Sequence, residues 1–351
     1  MRVLFIYKYL THGGVETVLR SRLEQLPQSG VDAYAWFLGD HGGRNLFHKL
    51  EHRLYVGEGA IMKNQLQKFD IIVSIDTQEV IHLLPSSDSV IFECHSPYLE
   101  NLEYLKSDEF QALEVCRVFT PSVYQSEIVH DFGIPANKVR VIPNSVGGHF
   151  FSPINVVPKY MHPLILWVGR LDALKNWTGF LSVIAELRKT TNNFEAIMVG
   201  KVSWRNGRSS HVFKKIQKGK LTDCVRWIES ISFDRMCRLY DLVRESDGVV
   251  ISTSKNESFG MTIAEAMSRG CTVLAPEKGP FIEFVHDRKN GYLYSEKTSK
   301  NIAARLAEII REKNRFEKIG RTAIHDINHA FHPKVANETL RSELLNCHHR
   351  R

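Results

Sequence analysis

Short apolar runs recur along this chain, and most of them are followed by a stretch whose apolar residues repeat at helical spacing. Val3–Tyr7 runs into a Gly-containing loop, after which Val15, Val18, Leu19, Leu23 and Leu26 share one helical face up to Pro27. Ala33–Leu38, Ile71–Ile75, Val90–Cys94, Val118–Thr120 and Val139–Ile142 read as further buried strands, with helices over Glu109–Cys116 and Ser122–Phe132. Runs this continuously apolar belong to strands covered on both faces. Alternation with helices therefore predicts an α/β fold around a parallel sheet.

The alternation stops at Gly147–Pro163, which has two Gly, three Pro and little periodicity, and then begins again. Strands are expected at Leu164–Val168, Ala196–Val199, Val225–Ile228, Val249–Ser252 and Thr272–Leu274, and helices at Thr178–Arg188, Phe233–Val243 and Met261–Arg269. A chain of 351 residues exceeds what one core usually supports. The expectation is two Rossmann-like domains, 1–150 and 151–331, facing across a cleft, with ligands beyond the carboxyl ends of the strands.

No apolar run approaches the ~18 residues of a membrane span, and the chain begins with a strand and Gly loop instead of a signal-peptide pattern. A cytoplasmic protein follows, in at most weak peripheral contact with a membrane. Six cysteines (94, 116, 224, 237, 271, 347) form no C-x-x-C pair and mostly sit in apolar surroundings, so reduced thiols are expected, with neither disulfides nor zinc. Up to Phe150 there are 13 Lys and Arg against 18 Asp and Glu, whereas the remainder has 33 against 21. The basic field lies on the second half, as an anionic small-molecule substrate would require. Nucleic acid is disfavoured, because no binding module accompanies the charge and the aromatics are scattered. The basic stretch Lys201–Lys220 reads as a solvated loop and helix face.

The segment Glu257-Ser258-Phe259-Gly260-Met261-Thr262-Ile263-Ala264-Glu265 carries the most specific chemistry. Glu257 falls in a loop, Gly260 permits close backbone approach, and a helix starting near Met261 aims unpaired N–H groups at whatever lies in front of it, a disposition that attracts phosphate. Glu265 lies one turn inside, so one ligand could touch both acids. Arg170 and Lys175 flank the end of another strand, where a planar fork and a point charge can clamp a diphosphate. No two aspartates stand at i and i+2, so the D-x-D metal motif is absent. G-x-G-x-x-G is likewise missing at Gly13-Gly14, which disfavours a dehydrogenase.

Glu257 to Glu265 resembles the E-x7-E signature of the family-4 retaining glycosyltransferases. Gly13-Gly14-Val15-Glu16, Gly169-Arg170-Leu171 with Lys175-Asn176, and Gly279-Pro280 with Glu283 fall in the order that family shows, so the resemblance spans nearly the whole chain. It implies the GT-B architecture, with a first domain on the acceptor side, a second that binds the donor, and a tail, 332–351, that crosses back to the first. It also implies transfer of a hexose-type sugar from a nucleotide diphosphate donor, most simply UDP-linked, to a hydroxyl acceptor with retained configuration. The departing phosphate itself accepts the acceptor's proton in such a route.

By the same resemblance Glu265 holds the ribose, while Glu257 and Ser258, Phe259, Gly260, Met261 and Thr262 meet the donor sugar and its phosphates. Gly13 and Gly14 form the acceptor-side loop and count among the donor-binding residues, since a diphosphate or an acceptor can approach their backbone; Trp227–Ile231 reads the base, with Ile231 at its end, and His95 meets the reacting sugar. Arg170, Lys175 and the helix N-terminus neutralise the leaving group, so no cofactor and no metal is expected. Ser145, Ser230 and Lys278 stand where the family usually has glycine. The acceptor is open, saccharide and lipid-linked saccharide among the candidates, because Gly39–Gly59 has no motif. Two other functions fit the same fold: a catalytically silent sugar-nucleotide-binding scaffold, and a UDP-sugar epimerase.

Overall fold

A computed structural model describes residues 1–85, 89–153, 160–202, 209–295, 297–312 and 315–349. The chain forms two compact units, Met1–Gly148 with Ala330–Arg351, and His149–His329.

Unit 1 is built on seven parallel strands: β1 (Arg2–Leu10), β2 (Asp32–Asp40), β3 (Leu54–Val56), β4 (Ile71–Ile75), β5 (Val90–Glu93), β6 (Arg117–Thr120) and β7 (Val139–Val141), in the order β3-β2-β1-β4-β5-β6-β7. Helices α1 (Gly14–Gln25), α2 (Lys63–Leu66), α3 (Asp108–Gln111) and α4 (Val123–Asp131) connect them. Strands β4, β5 and β6 are buried on both faces, which is why they lack polar alternation. Winding reverses between β1 and β4, so the loops after these two strands diverge and leave a switch point. The helix expected over Glu109–Cys116 ends at Gln111. Ser107 caps its start by accepting from Phe110 N, and Cys116 N–H already pairs with Val90 O at 2.8 Å as the chain enters β6.

Unit 2 repeats the design with β8 (Leu164–Val168), β9 (Glu195–Val199), β10 (Val225–Ile228), β11 (Val249–Ile251), β12 (Val273–Pro276) and β13 (Tyr292–Tyr294), all parallel, in the order β10-β9-β8-β11-β12-β13. Its helices are α5 (Trp177–Arg188), α6 (Ser209–Lys218), α7 (Phe233–Glu245), α8 (Met261–Ser268) and α9 (Ser299–Arg311), after which α10 (Arg321–Phe331) leads on. The switch point lies between β8 and β11. On α6, Val212 and Ile216 are buried while Lys214, Lys215 and Lys218 are exposed, so this part of the basic stretch is a solvated helix face. Arg205 and Arg208 lie outside the described residues, as does 154–159 of the expected linker.

The last helix, α11 (Pro333–His348), packs on α1 of unit 1, where Asn337 Nδ2 donates to Ser21 Oγ at 3.1 Å. This return corrects the expectation of wholly reduced cysteines. Cys116, at the start of β6, and Cys347, near the end of α11, form a disulfide with Cα atoms 6.2 Å apart. The two residues are separated by 231 positions, and only the returning helix brings them together. Cys94, Cys224, Cys237 and Cys271 are not in disulfides. Among the described residues no helix is long and apolar enough to cross a membrane.

Candidate functional site

In unit 2 the loops after β8 and β11 are laced together at the switch point. Trp167 Nε1 donates to Thr253 Oγ1 at 3.0 Å, Lys255 N to Leu174 O at 2.8 Å, and Asn176 Nδ2 to Thr253 O at 3.1 Å. Asn176 takes a left-handed conformation, φ 53°, to begin α5. Gly200, φ 152°, ends β9 against the Gly169 carbonyl, and a Cβ there would come within 1.8 Å of that oxygen. Only a glycine at 200 permits this approach of the two strand ends.

Across the laced loops Lys175 and Glu257 meet. Lys175 Nζ donates to both carboxylate oxygens, at 2.6 and 2.7 Å, and Ser254 Oγ adds a third bond at 2.7 Å. Lys175 itself is set by Asp172, whose carboxylate accepts Lys175 N at 2.8 Å. The Lys175 side chain keeps 20% of its exposure and that of Glu257 only 9%, so the cation faces outward and the carboxylate anchors it. Arg170 stands apart: its side chain is 61% exposed and its Nε lies 3.3 Å from Asp172 Oδ2. The two cations expected as a clamp are thus unequal, one fixed by a carboxylate and one reaching into solvent.

Beyond Glu257 the chain passes Phe259, which is buried and stacked on Phe284 with ring centroids 5.7 Å apart, and reaches Gly260 at φ 96°. A Cβ at Gly260 would meet the Phe281 ring at 2.6 Å, so the Gly260 turn and the Gly279-Pro280-Phe281 turn fit together only with glycine at 260. Helix α8 starts from this turn. Ile263 N and Ala264 N turn back to Gly260 O, while the N–H groups of Met261 and Thr262, the first in the helix, have no intrahelical acceptor. Ser258, Met261, Thr262 and, after β10, Ile231 are partly exposed.

Glu265 lies one turn into α8 beside Tyr240 of α7, whose hydroxyl donates to Glu265 Oε2 at 3.3 Å. Burial pushes the Glu265 carboxyl up to about 8, and the Tyr240 hydrogen bond lowers it only in part. The eight-residue spacing therefore brings two carboxyls into unlike surroundings, one held by a lysine and one holding a proton near neutrality. Sequence reasoning missed Tyr240, Ser254 and Gly200. A buried tyrosine on an amphipathic helix carries no signal until α7 is seen to face α8.

In unit 1 the Gly13-Gly14 loop is shaped by Glu16, a fully buried residue in the first turn of α1. Its carboxylate accepts Thr11 N at 2.7 Å and the Thr11 hydroxyl, and Gly13 leaves room for it, since a Cβ there would meet Glu16 Oε2 at 2.7 Å. Burial raises the Glu16 pKa against these hydrogen bonds. His95 follows β5 and is buried: its Nε2 lies 2.8 Å from Glu93 Oε1, and its backbone N–H is shared by both oxygens of Asp76 at 3.1 Å. Glu93 is in turn gripped by Arg22 of α1 through two bonds of 2.6 Å. Arg22, Asp76 and Glu93 were not apparent as site residues from sequence.

Residues 155–326 match the family model of the glycosyl transferases group 1. A stretch of 194 residues is 27% identical to lipopolysaccharide 1,2-N-acetylglucosaminetransferase of Salmonella typhimurium, covering 52% of this chain and 50% of that protein. Another, of 161 residues, is 32% identical to sucrose synthase of Denitrovibrio acetiphilus, covering 43% of this chain and 20% of that one. The chain thus spans half or less of the length of these curated relatives. Among solved structures, Anabaena HepE in complex with UDP and glucose superposes with a TM-score of 0.83 at 18% identity, over 99% of this chain and 100% of that one. Two doubly wound parallel-sheet units, the second carrying the group 1 match, give the chain the GT-B fold of two Rossmann-like domains.

Proposed function

We propose that the chain is a retaining glycosyltransferase that moves a hexose-type sugar from a UDP-linked donor to a hydroxyl acceptor. The observation that carries this is the switch point of unit 2, where a lysine anchored by a buried carboxylate, a left-handed glycine opening a helix, and a protonatable carboxyl one turn further on line up along one ligand's length. The α8 N-terminus and Lys175 hold the donor's phosphates, and Arg170 reaches them from solvent. Glu265 accepts hydrogen bonds from the ribose hydroxyls, and Ile231 flanks the base. As the glycosidic bond breaks, negative charge develops on the diphosphate, and these fixed positive groups stabilise it without reorganising. No metal is needed in this scheme. The departing phosphate oxygen takes the acceptor's proton, so the acceptor attacks from the face the leaving group vacates and configuration is retained.

Glu257 orients Lys175 and, on the reading in which it also meets the sugar, accepts from a donor hydroxyl. Unit 1 supplies the acceptor loop at Gly13-Gly14, with the acceptor a saccharide or a lipid-linked saccharide and the product a polysaccharide, glycolipid or other glycoconjugate. The same relatives and solved structures that share the fold include proteins described as binding UDP or transferring sugars, which supports this reading. The test is a panel of nucleotide sugars scored by thermal shift, then release of UDP with a saccharide acceptor panel, in chelator and in magnesium. Transfer that persists in chelator is expected. Interconversion of the UDP-sugar without transfer, donor binding without any turnover, or activity restored only by metal would overturn it.

A further inference from the structure

We infer that Arg22 and Glu93 are positioning residues for His95, fixing its imidazole as the Nε2–H tautomer and leaving Nδ1 free to accept a hydrogen bond from a sugar hydroxyl. The inference rests on the glycosyltransferase reading for its last clause only.

The grip on Glu93 is complete on one side. Arg22 NH1 donates to Oε2 and NH2 to Oε1, both at 2.6 Å, in a two-pronged geometry that a lysine could not reproduce. Both side chains are sealed, at 2% and 0% exposure. Arg22 sits on the α1 face between Leu19 and Leu23, where periodicity calls for an apolar residue, and Glu93 ends the apolar strand Val90-Ile91-Phe92. An apolar pair in such a place is often at least as stabilising as an ion pair, so stability alone does not explain why charges are kept here. The third contact does: Glu93 Oε1 lies 2.8 Å from His95 Nε2.

Burial raises the Glu93 carboxyl, but Arg22 and then His95 outweigh it and hold the group well below the usual carboxylate range. An ionised carboxylate only accepts, so the proton of that hydrogen bond belongs to Nε2, and in the neutral ring Nδ1 then carries the lone pair. The main chain is pinned as firmly as the ring. Asp76, in a left-handed conformation at φ 43°, accepts His95 N–H with both oxygens and donates its own N–H to Glu93 O at 3.0 Å. Gln125 Nε2 donates to Ser96 O at 3.0 Å. Nδ1 takes no hydrogen bond from the described residues. Helix α1 thus serves two loops of unit 1: Glu16 shapes the one at its start, and Arg22, six residues on, sets the histidine after β5.

The test reads the tautomer directly. Nitrogen-15 spectra of the histidine-labelled full chain, with the His95 signals assigned by their loss in His95→Asn, are expected to show a protonated Nε2 and an unprotonated Nδ1 at pH 8. Glu93→Gln is expected to mix the tautomers and to lower kcat by about tenfold to a hundredfold, the usual cost of removing the orienting partner of a functional histidine. KM for the donor and UDP affinity should stay within about twofold. Arg22→Lys, which keeps the charge without the fork, should fall between Glu93→Gln and wild type. A protonated Nδ1 in the wild-type chain would overturn the inference whether or not any variant folds. So would a folded Glu93→Gln chain with unchanged tautomer and unchanged kcat. A chain with the expected tautomer but no transfer of any sugar would instead count against the function proposed above, and would leave the positioning intact.

Discussion

The two units are wound alike, each with a switch point at the carboxyl ends of its strands, but they treat the charged groups there in opposite ways. In unit 1, Arg22, Glu93, His95 and Asp76 bond to one another inside the protein, with His95 Nδ1 left over among the described residues, and all four are buried. In unit 2 the same topological position carries an exposed arginine, a lysine still one-fifth exposed on a buried anchor, and a carboxyl whose partner among the described residues is a single tyrosine hydroxyl. A network closed on itself sets geometry. An unfinished one accepts a ligand. The difference teaches that the first unit is arranged to hold a histidine rigidly, and that the second leaves charged groups open, which the function proposed above completes with an anionic, hydroxyl-bearing ligand.

The largest effect should come from breaking the one anchored cation. Among the described residues Lys175→Ala leaves the buried Glu257 carboxylate with only Ser254, and it removes the charge that the proposed mechanism sets against the leaving phosphate, so turnover is expected to fall about a hundredfold to a thousandfold. Glu257→Ala should do nearly as much by releasing Lys175 into solvent, while UDP still binds. Steady-state kinetics beside calorimetry separate the two parameters. Loss of UDP binding in a folded Glu257→Ala chain would mean that this carboxylate, and not Glu265, holds the nucleotide.

Next in size is Glu265. Replacing it by alanine should weaken UDP binding by about tenfold to a hundredfold, the worth of a charged hydrogen bond to ribose. Because burial holds this carboxyl near 8 in the free protein and ribose hydroxyls bond best to its ionised form, UDP affinity should rise by about tenfold between pH 6 and pH 8, with proton release on binding. Calorimetry in buffers of different ionisation enthalpy counts that proton. Flat affinity across this range would place the ribose elsewhere.

Much of this was legible in the sequence, and the rest was hidden for a definite reason. The two sheets, and the loops that carry Lys175, Glu257 and Gly260, follow from apolar runs and glycine placement, which are local properties. The edge strands β3 and β13 are not marked, whereas β7 and β11, just as short, stand out as apolar runs. Arg22 and Glu93 are 71 positions apart, and Cys116 and Cys347 231 apart, and neither pairing leaves a trace near either residue. Cysteines in apolar surroundings look the same whether or not a distant helix brings a partner. The 257 to 265 spacing was visible, but the unlike states of its two acids depend on Lys175 and Tyr240, which arrive from other elements.

The smallest expected effect concerns stability without ligand. A carboxyl raised from 4.5 to about 8 in the folded chain contributes stability that is fully present below about 4.5 and lost as pH rises through 8, since the folded state binds the proton more tightly than the unfolded one. Glu265→Gln removes that loss, so at pH 8 it should stabilise the free protein by about 1–3 kcal/mol, while near pH 4 it should match wild type. Denaturant melts at the two pH values check the sign. A variant less stable at pH 8 than wild type would show the carboxylate to be well satisfied and the contrast between the units overstated.

Hydrogen exchange of the full chain with and without saturating UDP tests that contrast most directly. The open character of unit 2 predicts protection centred on 253–268 and on 169–176, with the already closed segment 93–96 of unit 1 unchanged. Protection centred on unit 1, or none at either segment of unit 2 while UDP is bound, would contradict the account.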